Sequence, residues 1–180
     1  MSFEQPTCCG ELLNFRIARL LSFSGALQIR LCEGRFGISR REWRLIAMLA
    51  DFGPLAPSEL AEHARTDRPQ VSRAVHGLEA KGLVARQATE QGTGRSRVRV
   101  QLTDKGWALH RELFPLTAEI NSRILGALSP DQIRALDAAL DTLTVAAQQV
   151  CQTYPLTEKA DRRSGGGRPE ADRPDLLDAW

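Results

Sequence analysis

The chain has 180 residues, with 24 Lys and Arg against 22 Asp and Glu for a formal charge of +2, and 42% of its residues are hydrophobic. That length holds one domain, or a small domain with long helical extensions, able to bury roughly 70% of its unfolded surface. No apolar run approaches the ~18 residues of a membrane span, and "MSFEQPTCCGELLNF" lacks the basic start and apolar middle of a secretory leader. The expectation is a cytoplasmic protein whose four cysteines stay reduced.

Charge is unevenly placed. Over residues 65–99 eight basic residues stand against three acidic ones, a local balance of +5 that leaves −3 for the rest of the chain. One sign concentrated in a short segment is the electrostatic footprint of a phosphate-binding surface.

In chain order, residues 11–33 ("ELLNFRIARLLSFSGALQIRLCE") predict a long helix, apolar around much of its circumference and closed by Gly34. A helix apolar on several sides needs cover on several sides. Ser39 with Glu42 forms a capping box that opens "REWRLIAMLADF", which stops at Gly53 and Pro54. Pro57 starts a short helix, "PSELAEHA", with Leu60, Ala61 and Ala64 turned inward.

After "RTD" another helix begins. Asp67 and Gln70 fit a capping box with Asp67 as N-cap, and Pro69 falls in the first turn, where its missing N–H costs nothing. Val71, Ala74, Val75 and Leu78 share one apolar stripe, and Gly82 suits the left-handed position past the helix end. Opposite the stripe lie Pro69, Ser72, Arg73 and His76, with Gln70 and Gly77 at the flank and Arg68 open at the first turn. Two short helices joined by a tight turn have helix-turn-helix spacing.

Residues 83–87 ("LVARQ") and 98–102 ("VRVQL") read as strands, the second alternating strictly. Between them "ATEQGTGRSR" makes a β-hairpin with a mobile, basic tip. Thr103 caps the next helix, "DKGWALHRELFPLTAEINSRILGAL", which Pro115 is expected to bend. Ser129 and Gln132 form a third capping box with Pro130 at N1, and the helix they open carries Ile133, Leu136, Leu140 and Leu143 on one stripe. Residues 155–180, charged and rich in Gly and Pro, read as a disordered tail.

The segment "SELAEHARTDRPQVSRAVHGLEAKGLVAR" resembles the helix-turn-helix of the MarR family of bacterial transcription regulators, in which the pattern VSR-x-V-x-x-L-x-x-KGLV-x-R is diagnostic. "VQLTDKG" resembles the strand end and helix cap that follow the wing in that family, and the likeness covers approximately residues 11–150. It implies a mainly α fold with a small β-wing. An N-terminal dimerisation helix would span 11–36, a winged helix-turn-helix DNA-binding domain 37–102, and C-terminal dimerisation helices 103–151, with the tail at 155–180.

The resemblance also implies site residues. Arg68, Pro69, Gln70, Ser72, Arg73 and His76 would face the DNA major groove. Arg suits guanine, Gln suits adenine, and Ser72 with the helix N-terminal amides suits phosphate. Where the family places Asp-x-Arg at the wing tip, this chain has Gly94, Arg95 and Ser96. The aspartate is missing and the arginine displaced, so Arg95 and Arg97 are both candidates for the minor groove. The long helices carry more apolar surface than a domain of about 65 residues covers alone, which fits the homodimer that the family implies, reading a pseudo-palindromic operator.

Repression relieved by a ligand is the family default, with the pocket near the first helix and the start of the second. There Arg16, Arg19, Arg40, Trp43 and Arg44 suit a small aromatic carboxylate or related phenol, Arg forking the carboxylate and Trp43 packing on the ring. Trp43 as plain core remains open. So do an oxidant-sensing repressor in which Cys8 or Cys9 reaches Cys151 of a second copy, and a winged-helix protein-interaction module without DNA binding. The chain shows no Gly-rich phosphate loop, no nucleophile elbow, no metal-ligand spacing and no paired carboxylates in an apolar context. No enzyme activity, metal or cofactor is therefore expected.

Overall fold

A computed structural model of the chain describes residues 3–89 and 97–155, so the wing tip and the tail from residue 156 lie outside the described residues. A 3-10 turn (Cys9–Glu11) precedes α1 (Leu13–Ile29), which runs on into a π-helical stretch (Arg30–Arg35). Gly34 therefore does not close the helix, as its position in the sequence led us to expect. The Cys32 carbonyl accepts both the Phe36 and Ile38 N–H groups and carries the chain further, and the left-handed break comes at Gly37, with φ 64°.

The capping boxes decide where the next helices begin. In α2 (Arg40–Phe52) the Glu42 N–H donates to Ser39 Oγ at 3.2 Å, and the Ser39 N–H donates to Glu42 Oε2 at 2.7 Å. Gly53, with φ 75°, ends it. In α3 (Pro57–His63) the Glu59 carboxylate accepts the Ala56 N–H at 2.8 Å, and Leu60, Ala61 and Ala64 are buried as expected. The turn to α4 (Arg68–Ala80) passes through Arg65, whose φ of 46° is unusual for a non-glycine residue.

Strands β1 (Val84–Thr89) and β2 (Arg97–Leu102) pair antiparallel in a register from Val84↔Leu102 to Thr89↔Arg97. Leu55 adds a bridge to Val100, so the α2–α3 loop forms a third rung. The predicted alternation holds where the wing meets the core, with Val100 and Leu102 buried, while Val98 nearer the tip is exposed.

Thr103 caps α5 (Asp104–Leu125) by accepting the Gly106 N–H at 3.1 Å, and Pro115 lies inside this helix. α6 (Pro130–Thr153) opens on the predicted Ser129–Gln132 box. Residues up to Ile124 form one compact unit and those from Leu125 another. The first holds the core of Ile38, Ile46, Leu49, Leu60, Leu78 and Leu113, so α5 is anchored in it. On α1 only Gly25 is buried, while Phe15, Leu20, Leu21 and Phe23 are more than half exposed. Among the described residues no helix is long and apolar enough to cross a membrane.

Candidate nucleic-acid interface

α4 presents its polar flank because its apolar stripe is fixed. Val71, Val75 and Leu78 are at most 1% exposed, so the residues opposite are turned outward. Arg68, Pro69, Ser72, Arg73 and His76 are all exposed. Gln70 differs from them. Its N–H donates to Asp67 Oδ1 at 2.7 Å, and its side-chain amide donates to Asp67 Oδ2 at 2.6 Å. The predicted box is thus half formed, since Gln70 returns to the Asp67 carboxylate and holds itself half-buried against the turn.

At its other end α4 is locked to α2. Lys81 Nζ lies 2.8 Å from both oxygens of Glu42, whose side chain is 10% exposed. Burial alone would raise the Glu42 carboxyl, but the Lys81 ammonium and the Ser39 N–H outweigh it and hold Glu42 below the usual carboxylate range. Gly77 makes room for this pair, because a Cβ there would sit 2.9 Å from Glu42 Oε1. The Lys81 carbonyl accepts from Lys105 Nζ, and the Gly82 carbonyl accepts from Thr103 Oγ1 at 2.7 Å.

The basic cluster of residues 65–99 divides into two groups. Lys81, Arg86 and Arg99 face Glu42, Glu79 and Glu59, and Arg99 also donates to the Pro54 carbonyl at 2.6 Å, which ties the wing to the α2–α3 loop. Arg68 and Arg73 form no ion pair among the described residues. Among the described residues of this cluster, the cations without an ion-pair partner are therefore those on α4. Arg95 lies outside the described residues, and so does the side chain of Arg97.

The five residues read as an effector site fall in three places. Arg16 and Arg19 are exposed on α1, with the Arg16 guanidinium 4.2 Å from the Phe3 ring centroid. Trp43 is 5% exposed and stacks on His110 of α5 at 5.5 Å, where His110 also stacks on Phe114. Burial pushes the His110 pKa down, against an opposing pull from Asp51. Arg40 and Arg44 come together instead on a cavity between α2 and the α3–α4 turn, joined there by Arg41. Of the cysteines, Cys8, Cys9 and Cys151 are exposed and Cys32 is buried, its thiol pKa raised chiefly by that burial.

Sequence reasoning missed Glu42, Gly77, Arg41 and His110 as participants. Glu42 was read only as a cap, although a second role was legible in part, since a carboxylate in the first turn of an otherwise apolar helix face needs a cation.

A helix-turn-helix followed by a two-stranded wing defines the class of winged-helix proteins. Residues 36–96 match the MarR family. The HTH-type transcriptional regulator FarR of Neisseria gonorrhoeae is 33% identical over 86 residues, 48% of this chain and 58% of FarR, so the chain spans little more than half of that relative. A MarR-family regulator from Silicibacter pomeroyi is 24% identical, with a TM-score of 0.64 over 82% of this chain and 94% of that one. NadR in complex with 4-hydroxyphenylacetate is 26% identical, with a TM-score of 0.63 over 77% of this chain and 95% of NadR. Residues 36–96 thus carry the MarR-family pattern, and the relatives that share it are transcriptional regulators.

Proposed function

We propose that the chain is a cytoplasmic, ligand-responsive repressor that binds a pseudo-palindromic operator as a homodimer. α4 enters the major groove through Arg68, Pro69, Gln70, Ser72, Arg73 and His76, and Arg95 or Arg97 of the wing reaches the minor groove. The observation that carries this reading is the α4 flank, where Arg68 and Arg73 are exposed and have no ion-pair partner among the described residues, while the stripe behind them is fixed in the core. Two-fold pairing is supported by the uncovered apolar residues of α1, since a row that includes Phe15, Leu20 and Phe23 is costly to leave in water.

The test is operator binding by the dimer. Arg73→Ala with Arg95→Ala and Arg97→Ala abolishes binding and leaves the dimer intact. The wild-type affinity falls with salt at a slope near −0.9 per neutralised phosphate. A flat salt dependence overturns the assignment of the α4 face to DNA.

The effector in this reading is a small aromatic carboxylate. The likeness to NadR, which binds 4-hydroxyphenylacetate, supports it, as do the arginines at the start of α2. Titration calorimetry with benzoates, cinnamates and 4-hydroxyphenylacetate tests it, and silence across the panel with intact operator binding removes it.

A further inference from the structure

We infer that the chain holds a site for a compact organic carboxylate inside the helix-turn-helix, built by Arg40, Arg41 and Arg44 of α2 against the α3–α4 turn and the first turns of α4. The inference deepens the effector reading above by placing the anion on the side of α2 away from Trp43, in contact with the recognition helix.

Four observations carry it. First, the three arginines line one cavity of about 170 Å³, room for a single ring or a short acyl chain with its carboxylate. Second, no acidic residue lines the cavity, and none of the three arginines forms an ion pair among the described residues. Positive charge gathered in a hollow without a counter-charge lowers the cost of bringing an anion there.

Third, two of the arginines are held in place by neighbours that do not neutralise them. Arg44 Nη1 donates to the Ala64 carbonyl at 3.2 Å, which leaves its other donors available. Arg40 lies against α1 at Gly25, where a Cβ would come within 2.9 Å of its Nη1, so the glycine provides the slot that the guanidinium occupies. Arginines fixed in advance lose less freedom when they fork a carboxylate. Fourth, the floor is apolar, formed by Leu45 and Val71 among others, with Thr66 and Gln70 as neutral polar neighbours. A phosphate gains nothing from that floor, whereas the body of a carboxylic acid does.

Gln70 and Val71 belong to α4, so an occupant touches the element that reads DNA. Its effect on operator affinity is reciprocal, because whatever factor the ligand takes from DNA binding, DNA takes from ligand binding.

The experiment is calorimetric titration of the full-length dimer with benzoate, 4-hydroxyphenylacetate, benzamide and inorganic phosphate, each repeated on Arg41→Met and Arg44→Met, with operator binding measured in parallel. Both side chains are exposed, so the variants keep the fold, and melting curves check this. The expected result is binding of a carboxylate, weakened about tenfold or more in each variant through loss of a charge-assisted hydrogen bond, with benzamide silent. Carboxylate binding that is equal in wild type and both variants overturns this site but leaves the effector reading standing. Binding that depends on Arg41 and Arg44 yet leaves operator affinity unchanged supports the site and overturns the effector reading. Phosphate bound as tightly as benzoate overturns the carboxylate assignment, and silence of the wild type toward every probe overturns both.

Discussion

Gly77→Ala in α4 tests the α2–α4 lock by the sign of its effect. Alanine in a helix interior is ordinarily worth about 1 kcal/mol over glycine. Here its Cβ would come within 2.9 Å of Glu42 Oε1. That carboxylate is held by Lys81 at 2.8 Å and by the Ser39 N–H at 2.7 Å, so it cannot swing aside without breaking the ion pair and the cap together. With Lys81 39% exposed, the pair is discounted to about 1–2 kcal/mol, and the cap adds about 1 kcal/mol.

The helix gain is therefore outweighed, for a net loss of about 1–2 kcal/mol. At roughly 2–4 °C per kcal/mol for a chain of this size, Tm falls by about 2–8 °C. In a Glu42→Ala background the obstacle is gone, and the same Gly77→Ala change raises Tm by about 2–4 °C. Circular-dichroism melts of the four proteins of the cycle give the comparison. Equal stabilisation by alanine with and without Glu42 would refute the claim that the carboxylate is fixed against α4.

Gly106→Ala drives a Cβ to 2.1 Å from the Leu83 backbone carbonyl, and we expect a loss of at least about 2 kcal/mol in urea unfolding; an unchanged midpoint contradicts the close packing of α5 on the wing base. The lowered pKa of His110 means the unfolded chain takes up its proton first as pH falls below about 6.5, so stability is complete above that pH and declines as pH drops through the folded-state value. His110→Gln should flatten that decline, and an unaltered slope between pH 7 and 5 shows that the titration lies elsewhere. Peroxide treatment should leave operator affinity unchanged in the ligand-responsive reading, although Cys8, Cys9 and Cys151 are exposed; a loss of binding that dithiothreitol reverses favours the cysteine-based alternative.

Much of the helix-turn-helix was legible in the sequence because its signals are local. Ser39, Asp67, Thr103 and Ser129 each bond to an amide three residues on, and Gly53 and Gly82 take the positive φ that ends a helix, so short windows suffice to place the boundaries. Gly34 misled because nothing local announces a π turn, which carries the helix past it to the break at Gly37. The Glu42–Lys81 pair joins residues 39 apart and is set by packing, so no spacing rule finds it. The grouping of Trp43 with Arg44 rested on nearness in sequence, whereas consecutive helix positions diverge by about 100°. Trp43 accordingly meets His110 while Arg44 meets Ala64.

The two ends of α4 are unequally tethered. Lys81 and Gly82 are clasped from α2 and from the start of α5, while the opposite end is bounded by the strained Arg65 and a hollow. With Val71, Val75 and Leu78 seated in the core between those ends, α4 is carried as a body by α2 and the start of α5, and the face that bears Arg68 and Ser72 goes with it.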